Sequence, residues 1–247
     1  MDRRTISTIL LLLAVLLGTS QTPRRRLVLA VPPVLAQTEA SPQAAEVGAA
    51  SLTRNFYFVF DGSGSMGEAL NQRCTGDKRF QSRLAGAKWA VEKFMPHVPD
   101  AVNLGLWVFD THGNSERVVL GPGNREQFLS AIQKISAGRK TPLTESIAQG
   151  VDRLVRQREK QLGYGEFRLI VITDGEATGQ PLPQAVQYAR AQRIPIYTIG
   201  LCLGEAHQLR QYSVSYRAAD SIEALRRGLE EMLAETQGFD PQTFPGQ

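Results

Sequence analysis

The sequence predicts an α/β fold: a doubly wound, mostly parallel sheet with helices on both faces. Two observations carry that expectation. Short apolar runs alternate with segments whose apolar residues recur at helical spacing, the pattern of strands joined by crossover helices. The runs 54–60, 102–109, 169–173 and 194–201 are apolar at nearly every position, which marks strands covered on both faces rather than one. Three of them stop at an aspartate, Asp61, Asp110 and Asp174, and ligands of such sheets bind beyond the carboxyl ends of the strands.

In chain order, residues 1–36 read as a targeting segment. Arg3 and Arg4 precede an apolar run, 6–17. Its twelve residues would span about 18 Å as a helix, short of the ~30 Å hydrocarbon core of a bilayer. A second apolar run follows Arg24-Arg25-Arg26 and ends Val34-Leu35-Ala36, with the small residues that precede signal-peptidase cleavage. Cleavage after Ser20 and cleavage after Ala36 both fit, and an uncleaved segment would tether the product to a membrane. The expected product is therefore exported: periplasmic, secreted or tethered on the extracytoplasmic side. Residues 1–36 hold five basic side chains and one acidic one, so the whole formal charge of +4 resides there. The remainder is neutral, with no basic patch of the kind nucleic acid requires. Residues 37–51, rich in Ala, Gln, Glu, Ser and Pro, read as a flexible linker, residues 52–236 as the folded domain and 237–247 as a disordered tail.

Within the domain the first strand (54–60) is followed by a polar loop and a helix carrying Leu84, Ala87, Val91 and Phe94, ended by Pro96 and Pro99. The second strand (102–109) turns at 111–114 into a short strand (117–120), antiparallel because the connection is too short for a crossover. Asn124 opens a helix bearing Phe128, Leu129, Ile132 and Ile135, closed by Gly138. Thr141-Pro142 reads as the start of the next, with Thr141 as N-cap and Pro142 at the first helical position. The third core strand (169–173), a helix (183–192), a fourth strand (194–201), a short final strand (214–216) and an amphipathic helix from Ser221 complete the series. Cys74, in the loop after the first strand, and Cys202, at the end of a later one, would meet an oxidising compartment. A disulfide between them and two unpaired small side chains both remain open.

The stretch Asp61-Gly62-Ser63-Gly64-Ser65-Met66-Gly67 stands where the first strand stops. It sets a carboxylate and two hydroxyls on one tight loop, with glycines that permit sharp turning. Hard oxygens so placed suit a hard divalent cation; a Gly/Ser loop with an aspartate cap explains the same residues without a metal. Asp174 and Thr141 would join them at the same end of the sheet.

Asp61-x-Ser63-x-Ser65 after the first strand, Thr141-Pro142-Leu143 opening a mid-chain helix and Asp174-Gly175 after Ile170-Val171-Ile172-Thr173 together resemble the von Willebrand factor type A domain and its metal-ion-dependent adhesion site. The resemblance covers about residues 52–236. It implies a six-stranded sheet with one antiparallel edge strand. It also implies that Ser63, Ser65 and Thr141 hold a cation through hydroxyls while Asp61 and Asp174 hold it largely through water. The cation is expected to be Mg2+, with Mn2+ or Ca2+ as alternatives, left electropositive enough to take an exposed Asp or Glu of a protein partner. Family members often carry glycines just before the threonine; here Arg139-Lys140 stand there, either as solvated loop cations or as a local field favouring an acidic ligand. Thr144 is a second candidate for the threonine ligand, one turn into the helix. Asp110 and His112 sit at the rim, and Glu68 reads as a charge in the first turn of a following helix.

Enzyme readings fit less well. A P-loop requires a lysine that does not follow Gly67. Ser63 lacks the Gly-x-Ser-x-Gly spacing of a hydrolase, although His207 is available as a base. An aspartate-nucleophile phosphatase would want a second aspartate where Ser63 stands. The expectation is a non-enzymatic, cation-dependent protein-binding module, and the alternative is a scaffold of the same fold with an empty site.

Overall fold

The computed structural model describes residues 53–70, 79–203 and 207–234. Among these, six strands form one sheet: β1 (Arg54–Asp61), β2 (Asn103–Asp110), β3 (Gly113–Gly121), β4 (Glu166–Thr173), β5 (Ile196–Leu201) and β6 (Ser215–Ala219). Their spatial order is β3-β2-β1-β4-β5-β6. All neighbours run parallel except β2 and β3, an antiparallel edge pair. Five α-helices cover the sheet: α1 (Arg83–Phe94), α2 (Arg125–Gln133), α3 (Leu143–Lys160), α4 (Leu182–Ala191) and α5 (Ile222–Ala234).

Strand periodicity explains the two layers. Successive side chains of a strand point to opposite faces, and every position of β1 beyond Arg54 is buried. Phe56, Phe58 and Phe60 pack with Ala87 and Val91 of α1, Phe128 and Ile132 of α2, and Leu225 and Leu229 of α5. Tyr57 and Val59 point the other way, into a core with Leu143, Ile147 and Val151 of α3 and Val186 of α4. The chain leaves β1 through α1 on one face and leaves β4 through α4 on the other. The carboxyl ends of β1 and β4 thus flank a topological switch point, where open α/β sheets place their ligands.

Several boundaries differ from the sequence reading. β3 starts at Gly113 rather than residue 117: its first half, Gly113-Asn114-Ser115-Glu116, is polar, and only an edge strand with a solvated face tolerates such a run. α2 ends at Gln133, and Gly138 instead donates its N–H to Gly62 O. Asn124 is the N-cap residue of α2, as expected, with its carbonyl accepting from Phe128 N, but its side chain makes no cap bond and its amide donates instead to Leu104 O and Val119 O. Thr141 is not the N-cap of α3; Pro142 takes that position. Thr141 lies one residue outside, its N–H on Thr178 Oγ1 and its carbonyl accepting from Leu143 N and Thr178 N. The final strand begins at Ser215, with Val214 N bonded to Ile196 O. Cys202 is disulfide-bonded; the other cysteine of the sequence, Cys74, lies outside the described residues, as do residues 1–36 and 37–51, read from the sequence as a targeting segment and a linker. Among the described residues no helix is long and apolar enough to cross a membrane.

Close packing across β1 and β2 generates a test. A Cβ on Gly105 of β2 would fall 2.4 Å from the Tyr57 ring, whereas one on Gly121 meets nothing within 4 Å. Gly105→Ala is expected to lower the unfolding free energy by about 1–3 kcal/mol through overpacking, and Gly121→Ala by less than ~1 kcal/mol. Urea unfolding of both variants checks the contrast; equal effects would contradict it.

Candidate functional site

At the switch point the fold brings the motif residues together. Asp61 closes β1 and Thr173 closes β4, next to the paired Phe60 and Ile172. Thr173 Oγ1 donates to Asp61 Oδ2 at 2.6 Å, and Ser63 N donates to Asp61 Oδ1 at 2.8 Å. Both oxygens of this fully buried carboxylate are therefore spent on shaping the loop that follows. Gly62 is required by close approach. Its N–H reaches Phe109 O at 2.8 Å, and an added Cβ would lie 2.8 Å from Asp110 Cβ and from Ile135 Cγ2.

From this loop Ser63 Oγ and Ser65 Oγ face each other at 3.1 Å, and Ser65 Oγ donates to Asp174 Oδ1 at 2.7 Å. A Cβ on Gly175 would stand 3.7 Å from Thr141 Oγ1 and 3.8 Å from Ser65 Oγ, so the loops after β1, before α3 and after β4 converge on one point. Thr144 does not take part, because its Oγ1 donates to Gln180 O at 2.8 Å. Asp110 also stands apart: Arg117 Nη2 and His112 N each lie 2.8 Å from its Oδ1, and His112 Nδ1 lies 3.2 Å from its Oδ2.

The electrostatics favour a cation. Burial pushes the Asp61 carboxyl up to about 6, and the charge of Asp174 adds to the rise, against the opposing hydrogen bonds from Ser63 and Thr173. Two carboxylates and three hydroxyls form an all-oxygen donor set, which fits magnesium, manganese or calcium and not a soft metal. Among the described residues no three His, Cys, Asp or Glu side chains converge, so a cation held here draws on the hydroxyls.

Arg83 is the participant that the sequence reading missed. From the first turn of α1 its Nη1 donates to Asp174 Oδ2 at 2.8 Å, and its Nη2 lies 3.3 Å from Glu68 Oε2. The guanidinium is nearly buried and meets one of the two carboxylate charges from inside. The signal for it was an arginine directly after Ser82, whose Oγ caps α1 by accepting from Ala85 N. Glu68 lies outside any α-helix and holds α1 through its carbonyl, bonded to Arg83 N, as well as through its side chain. His207, available on sequence grounds as a base, is committed elsewhere. Its Nδ1 accepts from Leu209 N, which leaves Nε2 to donate to Gly175 O at 2.9 Å.

The segment before Thr141 is tied to the motif loop by Gly138 N to Gly62 O and Gly64 N to Arg139 O. Arg139 adopts φ 67°, a left-handed conformation costing about 1–2 kcal/mol for a residue other than glycine. The glycines common at this place in the resembling family suit that backbone; arginine adopts it under strain.

A family model, the von Willebrand factor type A domain, matches residues 55–227. Solved structures share the fold. A von Willebrand factor type A protein from Catenulispora acidiphila is 16% identical with a TM-score of 0.58, covering 76% of this chain and 44% of that one. The PilB minor pilin of Streptococcus sanguinis is 14% identical with a TM-score of 0.58, covering 79% and 64%. The von Willebrand factor domain of the type V pili tip protein Mfa5 from Porphyromonas gingivalis is 12% identical with a TM-score of 0.53, covering 80% and 98%. The chain thus spans less than two thirds of the first two. No curated protein matches it.

Two tests follow from the buried charges. Asp61 titrates higher in the fold than in the unfolded chain, so the metal-free protein loses stability as pH rises from about 4 through about 6. In chelator, the unfolding free energy of wild type relative to Asp61→Asn should fall by about 2.5 kcal/mol between pH 4 and pH 7.5. A gap that does not move with pH would show that the carboxyl is not raised. Arg83→Met leaves Asp174 buried without its counter-charge and should cost about 3 kcal/mol in chelator, most of it recovered in Arg83→Met/Asp174→Asn, read by urea denaturation.

Proposed function

Because the chain belongs to the von Willebrand factor type A domain family, we propose that it is an exported, divalent-cation-dependent protein-binding module without enzymatic activity. The observation that carries this reading is the convergence of Asp61, Ser63, Ser65, Thr141 and Asp174 at the switch point. In this reading Ser63, Ser65 and Thr141 offer hydroxyl oxygens to Mg2+, Mn2+ or Ca2+, and Asp61 and Asp174 balance its charge at greater distance. When bound, the cation supplies an electropositive coordination position for an Asp or Glu side chain of a protein partner. The protein's own part is to hold the donors in place. Thr173 and Ser63 N orient Asp61, Arg83 orients Asp174, and the loops are cross-linked by backbone hydrogen bonds.

A nucleophilic role for Ser63 or Ser65 finds no support. Among the described residues neither hydroxyl has a histidine within hydrogen-bond reach, and Ser65 donates to a carboxylate already paired with arginine. One observation favours a second reading, a scaffold that works without metal: Arg83 already meets half of the carboxylate charge. In this reading the folded unit is residues 52–236, after an export segment (1–36) and a linker (37–51). The pilus proteins among the structural neighbours share only the fold, and a surface-adhesion role for this chain is part of the proposal.

Binding to the native state alone stabilises by about 3 kcal/mol at a hundredfold excess over Kd. Saturating Mg2+ should therefore raise Tm by about 5–10 °C for a domain of this size, and EDTA should remove the gain. Asp61→Ala/Asp174→Ala should show no gain. A double variant that gains as much from Mg2+ as wild type would overturn the metal reading and leave the scaffold.

A further inference from the structure

Beside the convergent oxygens lies a cavity of about 480 Å³ lined by Phe109, Asp110, Pro142, Thr178, Arg139 and Lys140 among others. Its charges do not cancel within the fold. Asp110 is already engaged by Arg117 and His112. Arg139 and Lys140 are exposed, and among the described residues neither has an ion-pair or hydrogen-bond partner for its side chain. Phe109 and Pro142 supply an apolar wall, and Thr178 a wall whose hydroxyl is already bonded to Thr141 N. The two cations are not on a loose loop. Gly138 N bonds Gly62 O at 2.9 Å and Gly64 N bonds Arg139 O at 3.1 Å, so the segment is cross-linked to the Asp61–Ser65 loop at residues 138 and 139. Arg139 keeps its place in a left-handed backbone conformation although nothing among the described residues pairs with its charge.

We propose that Arg139 and Lys140 form a second anion subsite, so that the partner is an extended acidic segment with two carboxylates, one at the cation and one in this cavity. The inference rests on the cation-dependent binding reading. The spacing is set by the chain. Arg139 and Lys140 precede Thr141 by two and one residues, about 4 to 7 Å of Cα path. In an extended ligand, residues i and i+2 are about 7 Å apart and point to the same side. A carboxylate two positions from the cation-bound one therefore reaches the cavity. The same cations raise the local positive potential, which opposes uptake of the metal and favours uptake of an acidic ligand once the metal is in place.

The test uses the peptide Ac-Gly-Glu-Gly-Asp-Gly-Glu-Gly-amide and its counterpart with both Glu replaced by Gln, titrated into the protein in saturating Mg2+ at 0.15 M salt and followed by amide NMR shifts. Wild type should bind the three-carboxylate peptide about fivefold more tightly than the single-carboxylate one. Arg139→Gly/Lys140→Gln, with a residue suited to the left-handed position, should bind the two within twofold. Lys134→Gln, whose cation lines a different cavity, should keep the fivefold preference. Equal binding by wild type, a preference that survives in the double variant, or a preference also lost in Lys134→Gln would overturn the second subsite while leaving cation-dependent binding intact. Binding of both peptides that persists in EDTA, or no binding of either in Mg2+, would overturn both readings together.

Discussion

Two like charges meet at the end of a sheet, and the rest of the site follows from containing them. Asp61 and Asp174 stand on adjacent strand ends with little or no exposure to water. A buried carboxylate pair is tolerable only when hydrogen bonds, a counter-ion or protonation answer it. This fold uses all three. Thr173 and Ser63 N bind Asp61, Arg83 binds Asp174, and burial pushes the Asp61 carboxyl up to about 6, which favours its protonation below that pH. Each device shapes the site as it relieves the charge. The bond to Ser63 N curls the loop so that both serine hydroxyls face one another, and the bond from Ser65 Oγ to Asp174 draws the two strand ends into one locus.

The division of labour between the carboxylates comes from what lies behind them. Asp61 is backed by neutral donors and Asp174 by a guanidinium. At an effective dielectric near 20, unit charges 4 Å apart interact by about 4 kcal/mol, so Arg83, paired with Asp174, offsets part of the attraction that the two carboxylates would exert on a cation. Among the buried groups, Asp61, Asp174 and Arg83 leave roughly one uncompensated negative charge, Glu68 being exposed to water. That is too little to neutralise a divalent ion and enough to attract one. A cation so held keeps an appetite for an external anion, which is the property an acidic-ligand receptor needs.

The fold was legible because burial writes itself into strands. β1, β2, β4 and β5 lie between two helical layers and so read as unbroken apolar runs, and the aspartates at the ends of β1 and β4 pointed to the site. What escaped reading has physical causes. The start of β3 has one solvated face and a polar sequence that no periodicity reveals. Thr141 looked like a helix cap because Thr-Pro commonly begins helices, yet its backbone is consumed by Thr178 and Leu143, which puts it one residue outside α3. Sequence alone offered Thr144 as a second candidate behind Thr141, and its bond to Gln180 O engages it elsewhere. Arg83 was invisible for a different reason. It follows a segment with no regular pattern, and its partner lies ninety-one residues away, a distance that local spacing does not encode.

The loops of this site are held mainly by main-chain bonds. Gly62 O and Gly64 N are both bonded to the 138–139 segment, Gly62 N to β2, and the Thr141 carbonyl to Thr178 N. Side-chain identity therefore matters to the scaffold at few positions, the glycines above all, because they let backbone approach backbone. Where side chains are free to vary without disturbing that network, as at Arg139 and Lys140, variation changes the chemistry presented to a ligand and leaves the donors in place. A site built this way separates two tasks. In the proposed binding reading, the backbone cross-links fix where an acidic group would come, and the exposed residues beside them decide what else the ligand would carry.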